Sequence, residues 1–104
     1  MHKLVVLYPP PTDPDAFRSY YEATHVPLAA RLPGLRAYRY AFDVAGLGAD
    51  SPYFCIFEAE FDDEAAMDAA RASPEGQATA ADVPNYATGG AALVHYEVAG
   101  SGPA

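Results

Sequence analysis

His25 is the residue of this chain best placed to move a proton. An imidazole titrates near neutral pH, and Tyr20, Tyr21 and Glu22 lie within about one helical turn of it. Pro27 disfavours helical geometry in the residue before it and removes a backbone donor, which places His25 where a helix stops. The same position also suits a plain cap, in which the ring meets free carbonyls and the helix dipole. A second group is Lys3, Glu58 and Glu60. If the N-terminal strand pairs antiparallel with the run ending at Phe61, Lys3 comes to face one of the two glutamates. Alternation puts Phe57, Ala59 and Phe61 under the helices and aims Glu58 and Glu60 at the opposite, bare face. A carboxylate enclosed there has a raised pKa unless Lys3 offsets it; the plain alternative is a cross-strand ion pair at a sheet end.

Other side chains argue against further chemistries. Glu22 and His25 have the E-x-x-H spacing of di-iron bundles, but the motif occurs once and such sites need a second copy. His2 and His95 fall in strands without the i, i+4 pairing of a zinc helix, so no metal ligand set is expected. Cys55, the single cysteine, sits in the apolar run Tyr53 to Phe57 and reads as a buried, reduced thiol. Ser101 lies between glycines in a loose tail with no strand-turn-helix around it, which rules it out as an elbow nucleophile. Gly46-Leu47-Gly48 falls in a hairpin loop and does not open a helix after a strand, so it carries no nucleotide signature. Eight tyrosines against no tryptophan point to a pocket or interface with flat apolar walls and hydroxyl handles, suited to phenolic or quinone-like ligands, or simply to core.

The elements that must position these groups can be read from punctuation and period. Leu4 to Tyr8 is a strand closed by three prolines. Asp13-Pro14 starts a helix whose apolar stripe is Phe17, Tyr21, Thr24 and Leu28. Leu35 to Asp43 and Tyr53 to Phe61 form a long-looped hairpin, Asp62 caps a second helix, and Ser73-Pro74 begins another short helical turn. Ala91 to Val98 is the last strand. The order β-α-β-β-α-β predicts an α+β, ferredoxin-like fold over residues 1–98: a four-stranded antiparallel sheet of order 4-1-3-2 with its helices on one face, and a flexible tail at 99–104. The strands are apolar on both faces, so the uncovered face should meet a second copy.

At 104 residues the chain is one domain with one core. A net charge of −8, with one lysine and five scattered arginines, excludes the basic stripe that nucleic acid demands. No run reaches the roughly 18 apolar residues of a membrane span, and the N-terminus lacks a secretory pattern, so a cytoplasmic location is expected.

These residues also resemble a known family. M-H-K-L-V-V-L-Y, Tyr20-Tyr21 with His25-Val26-Pro27-Leu28, Pro33-Gly34-Leu35, Phe57 to Asp62 and Ser73-Pro74-Glu75-Gly76 are similar to the EthD family over nearly the whole chain. The resemblance implies a dimeric α/β barrel related to cofactor-free monooxygenases, polyketide cyclases and muconolactone isomerases, with a family label of reductase or oxidoreductase. Haem-degrading relatives use a site tryptophan, which this chain lacks; no cofactor is expected, and haem is a minor alternative.

Two functions follow as expectations. The first is an enzyme, either oxidoreductase or cofactor-independent acid-base catalyst, acting on a small apolar or aromatic compound in catabolism. His25, Glu58 and Tyr21 would be its catalytic residues, with Lys3, Val5, Leu7, Tyr38, Tyr40, Ile56, Glu60 and Tyr86 binding substrate. The second is a homodimeric carrier of a hydrophobic ligand, or an accessory protein whose partner is an oxygenase system.

Overall fold

In the computed structural model, which describes residues 1–104, the chain runs β1 (His2–Tyr8), α1 (Pro14–Tyr20), a π-helical turn (Tyr21–His25), α2 (Val26–Ala29), β2 (Ala37–Ala41), β3 (Cys55–Phe61), α3 (Glu64–Ala72), α4 (Pro74–Asp82), a 3-10 turn (Val83–Asn85) and β4 (Ala92–Glu97). The four strands form one antiparallel sheet in the order β2-β3-β1-β4. This is the ferredoxin-like α+β arrangement expected from the order of elements. The strands of the central hairpin are shorter than their apolar runs, because Leu35 and Arg36 precede the β2 ladder and Tyr53 and Phe54 lead into β3.

The register sorts every strand residue onto one of two faces. Leu4 lies opposite Ala59 and His95, and Val6 opposite Phe57 and Leu93, on the side the helices cover. Lys3 lies opposite Glu60 and Tyr96, and Val5 opposite Glu58 and Val94, on the bare side. The core fills the covered side: Tyr8, Phe17, Tyr21, Phe61 and Met67 are essentially without solvent contact. On the bare side Val94 and Tyr96 are exposed.

The first helical stretch departs from expectation in an informative way. Pro27 does not stop the helix at His25; the backbone stays right-handed helical through Tyr21, His25 and Val26. The Val26 N–H reaches back five residues to the Tyr21 carbonyl, so the turn widens just before the proline. That widening moves the backbone away from the proline ring and leaves a place where its missing N–H is not needed. His25 is therefore interior to a continuous helix and caps nothing. The buried stripe is Phe17, Tyr21, His25 and Ala29, while Thr24 is exposed.

Two smaller corrections concern the second helical region. Asp63, and not Asp62, caps α3 by accepting from the Ala66 N–H at 2.8 Å. Asp62 instead accepts both guanidinium contacts of Arg36, at 2.9 and 2.7 Å. Ser73-Pro74 starts a full nine-residue helix, α4, with Ser73 Oγ accepting from the Gly76 N–H. Gly76 is required at that crossing, since a Cβ there would stand 2.2 Å from the Ala70 carbonyl oxygen.

Candidate functional site

Between the sheet and α2/α4 lies a cavity of ≈ 140 Å³. β1 supplies its floor through Leu4, Val6 and Tyr8, continued by Phe57 and Leu93 on the flanking strands. Its walls are Ala29 and Leu32 on one side and Thr79, Ala80 and Val83 on the other, with the exposed Arg71 at the rim. His25 reaches this space as its principal titratable group apart from Arg71.

The ring of His25 is held by a long-range contact. Its Nδ1 lies 2.9 Å from Asp82 Oδ2 at the C-terminal end of α4. Asp82 is buried and accepts further hydrogen bonds from the Tyr20 hydroxyl at 2.5 Å and from Asn85 Nδ2 at 3.0 Å. Burial pushes the Asp82 carboxyl upward, but its donors Tyr20, Asn85 and His25 together carry it below the usual range, so it is ionised. Burial lowers the His25 pKa, against the opposing effect of Asp82. At neutral pH the imidazole is uncharged. Nδ1–H donates its hydrogen bond to the Asp82 carboxylate, and Nε2 is the nitrogen left as a base.

These shifts give a stability profile with a definite sign. The unfolded His25 binds its proton near pH 6.5 and the folded one only at lower pH, so the unfolded state binds more protons in between. This contribution is intact above pH 6.5 and declines as pH falls below it, by at most about 1.4 kcal/mol per pH unit for one proton. Asp82 contributes stability above pH 3.8 that is lost at still lower pH. Urea unfolding of the wild type and His25→Gln at pH 7.5 and 5 checks this: the wild-type advantage should shrink on acidification, and a constant difference would overturn it.

The remaining sequence candidates divide between the faces. Glu58 does not share the cavity with His25. It sits on the bare side, where Lys3 Nζ lies 3.1 Å from it. Glu60 accepts from Arg39 at 3.1 Å and lies 3.8 Å from Lys3, so the group forms a cross-strand ion-pair network. Val5, Leu7 and Ile56 share that side. Tyr38 and Tyr40 lie on the opposite, helix-covered side: Tyr38 stacks on Phe57, and the Tyr40 hydroxyl donates to Glu22 at 2.7 Å. The strand parity that places Phe57 inward places both tyrosines with it.

Tyr21 is fully buried and stacks on the His25 ring at 5.3 Å, but it does not line the cavity. Its hydroxyl has no partner, and burial drives its pKa far up, which keeps the phenol protonated. Tyr86 packs against the His25 ring at 4.6 Å, and its hydroxyl lies 2.6 Å from that of Tyr8. Both tyrosines thus fix the histidine from behind. Cys55 is buried, and burial pushes its thiol up to about 12.

Asp82 and Arg71 escape the sequence reading. Asp82 is 57 residues from His25, a contact no local spacing encodes. One signal was present: an aspartate at a helix C-terminus opposes the dipole, and such a conflict marks a residue held there by something else.

Comparison with known proteins accords with this architecture. The EthD domain matches residues 9–90. The chain is 35% identical over 95 residues to an uncharacterized 11.0 kDa protein from the thcB-thcC intergenic region of Rhodococcus erythropolis, covering 90% of this chain and 91% of that one. It superposes on an EthD family protein from Bacillus halodurans with a TM-score of 0.86 and 31% identity, over 94% of this chain and 98% of that one. A dimeric ferredoxin-like protein from Jannaschia sp. CCS1 follows at 26% identity and a TM-score of 0.67, covering 93% and 97%. The fold alone is shared with SnoaB, a cofactor-independent oxygenase from Streptomyces nogalater, at 18% identity and a TM-score of 0.69, over 99% and 97%. With the profile spanning most of its length and two relatives above 30% identity, the chain belongs to the EthD family.

Proposed function

We propose that this chain is an acid-base enzyme that removes a proton from a small, largely apolar compound of about one aromatic ring. One observation carries the reading: His25 lines an apolar cavity while its Nδ1 is fixed by a buried, ionised Asp82. The ≈ 140 Å³ of space is the size class of an apolar protein cavity that takes up benzene. In this arrangement Nε2 accepts the proton and Asp82 stabilises the resulting imidazolium, as the carboxylate of a catalytic triad does for its histidine. Arg71 at the rim offers a positive charge to the substrate anion. Tyr8 and Tyr86 hold the site's shape through their shared hydrogen bond.

Solvent-deuterium exchange into the ring positions of resorcinol, followed by proton NMR, tests the reading. The wild type should accelerate exchange. His25→Gln should lower that rate by at least about 100-fold, with resorcinol affinity kept within about threefold. Exchange unchanged in His25→Gln overturns the assignment. Resorcinol binding in the cavity without exchange overturns the enzyme in favour of a hydrophobic-ligand carrier, the second reading that the apolar lining supports.

We also infer that the bare sheet face is covered by a second copy of this chain. Support comes from the exposed Val94 and Tyr96 beside Val5 and Leu7, and from the relative described as dimeric. The ion-pair network of Lys3, Glu58, Glu60 and Arg39 then lies within or beside that interface, where it contributes to registering the two copies.

A further inference from the structure

His2 at the start of β1 and His95 near the end of β4 meet at the far end of the covered sheet face. His2 Nε2 lies 2.8 Å from His95 Nδ1. Glu64, the first residue of α3, brings Oε1 to 3.9 Å from the same His95 nitrogen. One ligand atom from each of the three side chains lies within 4.8 Å of the others. None of the three lines the cavity of His25.

We propose that His2, His95 and Glu64 form a binding site for a divalent transition metal of the zinc class. Two imidazole nitrogens on a tetrahedral ion with bonds near 2.0–2.1 Å stand about 3.3 Å apart. The observed nitrogens need to separate by only a few tenths of an ångström. Two neutral imidazoles and one carboxylate are a donor set that suits zinc and its neighbours, and they leave the fourth position to water.

The surroundings of His2 support the same assignment. Its side chain is 6% exposed, so the ring is held in place before any ion arrives. Its Nδ1 is buried without a hydrogen-bond partner, and the nearest carboxylate, Glu97 Oε2, stands 3.8 Å away. Metal on Nε2 places the ring proton on Nδ1, where a shift of under about 1 Å in the exposed Glu97 side chain would complete the carboxylate-histidine-metal relation that fixes a ligand's tautomer. His95 and Glu64 are exposed and free to adjust. The ion would join β1, β4 and the start of α3 through one shared centre, where they now meet through strand pairing and single side-chain contacts. A dipositive ion also meets a chain of net charge −8, which favours its approach.

Equilibrium dialysis of the tag-free, chelator-treated chain against zinc, with visible spectroscopy of the cobalt form, tests the site. The expected result is saturable uptake of one ion per chain, cobalt bands of low-coordinate geometry, and a thermal midpoint that rises with zinc. His95→Ala and Glu64→Gln alter exposed side chains and should fold. Each should weaken zinc binding at least about tenfold, and His95→Ala should lose the thermal shift. Absence of saturable one-to-one uptake overturns the proposal. Wild-type affinity in either variant also overturns it, since the ion is then held elsewhere or by a different set. Neither result depends on the reaction proposed for His25.

Discussion

Phe17→Ala is expected to lower the unfolding free energy by about 3–5 kcal/mol. The ring is 1% exposed and sits at the centre of the aromatic core. Tyr8, Tyr21, Phe54 and Tyr86 all have ring centroids between 5.2 and 5.4 Å from it. These neighbours belong to a strand, the π-helical turn and two loop segments, so none can collapse into the vacated space without moving its own part of the chain. That is the condition under which a truncated core residue costs both its transfer free energy and the cavity it leaves. Urea denaturation at pH 7.5 measures the loss. A change under about 0.5 kcal/mol, the size of an ordinary surface substitution, would falsify the placement of α1 against the sheet. Because Tyr21 and Tyr86 also pack on His25, ligand affinity should fall as well.

Val94→Glu is expected to abolish self-association. Val94 is 46% exposed on β4 and lies opposite Val5 on the bare face. If that face meets a second copy, two-fold symmetry introduces the new carboxylate twice, in a layer whose existing charges are already paired. An unpaired buried charge costs about 3–5 kcal/mol, enough to raise a dimer dissociation constant by more than about 100-fold. Sedimentation velocity at micromolar concentration should show the wild type as a dimer and the variant as a folded monomer. A monomeric wild type, or a variant that stays dimeric, would sink the pairing through this face.

Local rules account for the sheet and its polarity. The strict alternation of Cys55, Phe57, Ala59 and Phe61 with Ile56, Glu58 and Glu60 decides both which face of β3 is covered and which residues cross-pair with Lys3. The same alternation would have placed Tyr38 and Tyr40 inward had it been carried across the β2-β3 register. Two features were beyond its reach. Where the cavity lies depends on how α2 and α4 pack over β1, a matter of tertiary packing with no one-dimensional trace. The Asp82 partner of His25 arises because α4 extends a full nine residues and ends beside the middle of the first helical stretch. The chemistry of His25 and the neighbouring proline single it out in the sequence, but local rules make that proline a terminator, whereas the chain accommodates it by widening one turn.

That widened turn sets the angular phase of everything beyond it. Phe17, Tyr21, His25 and Ala29 recur every four residues, and all four are at most 4% exposed. In a regular α-helix each step of four advances about 40° past a full revolution, so a run of four such positions winds progressively away from the sheet. A turn closed over five residues absorbs that excess midway, and the second half of the stripe realigns with the first. The turn therefore behaves as a one-residue insertion within an otherwise ordinary amphipathic helix. Deleting Ala23, an exposed residue inside it, would rotate Val26 and Ala29 by about 100° relative to Phe17 and carry the imidazole away from Asp82. The site depends on the count of residues between Phe17 and Ala29 as much as on their identities.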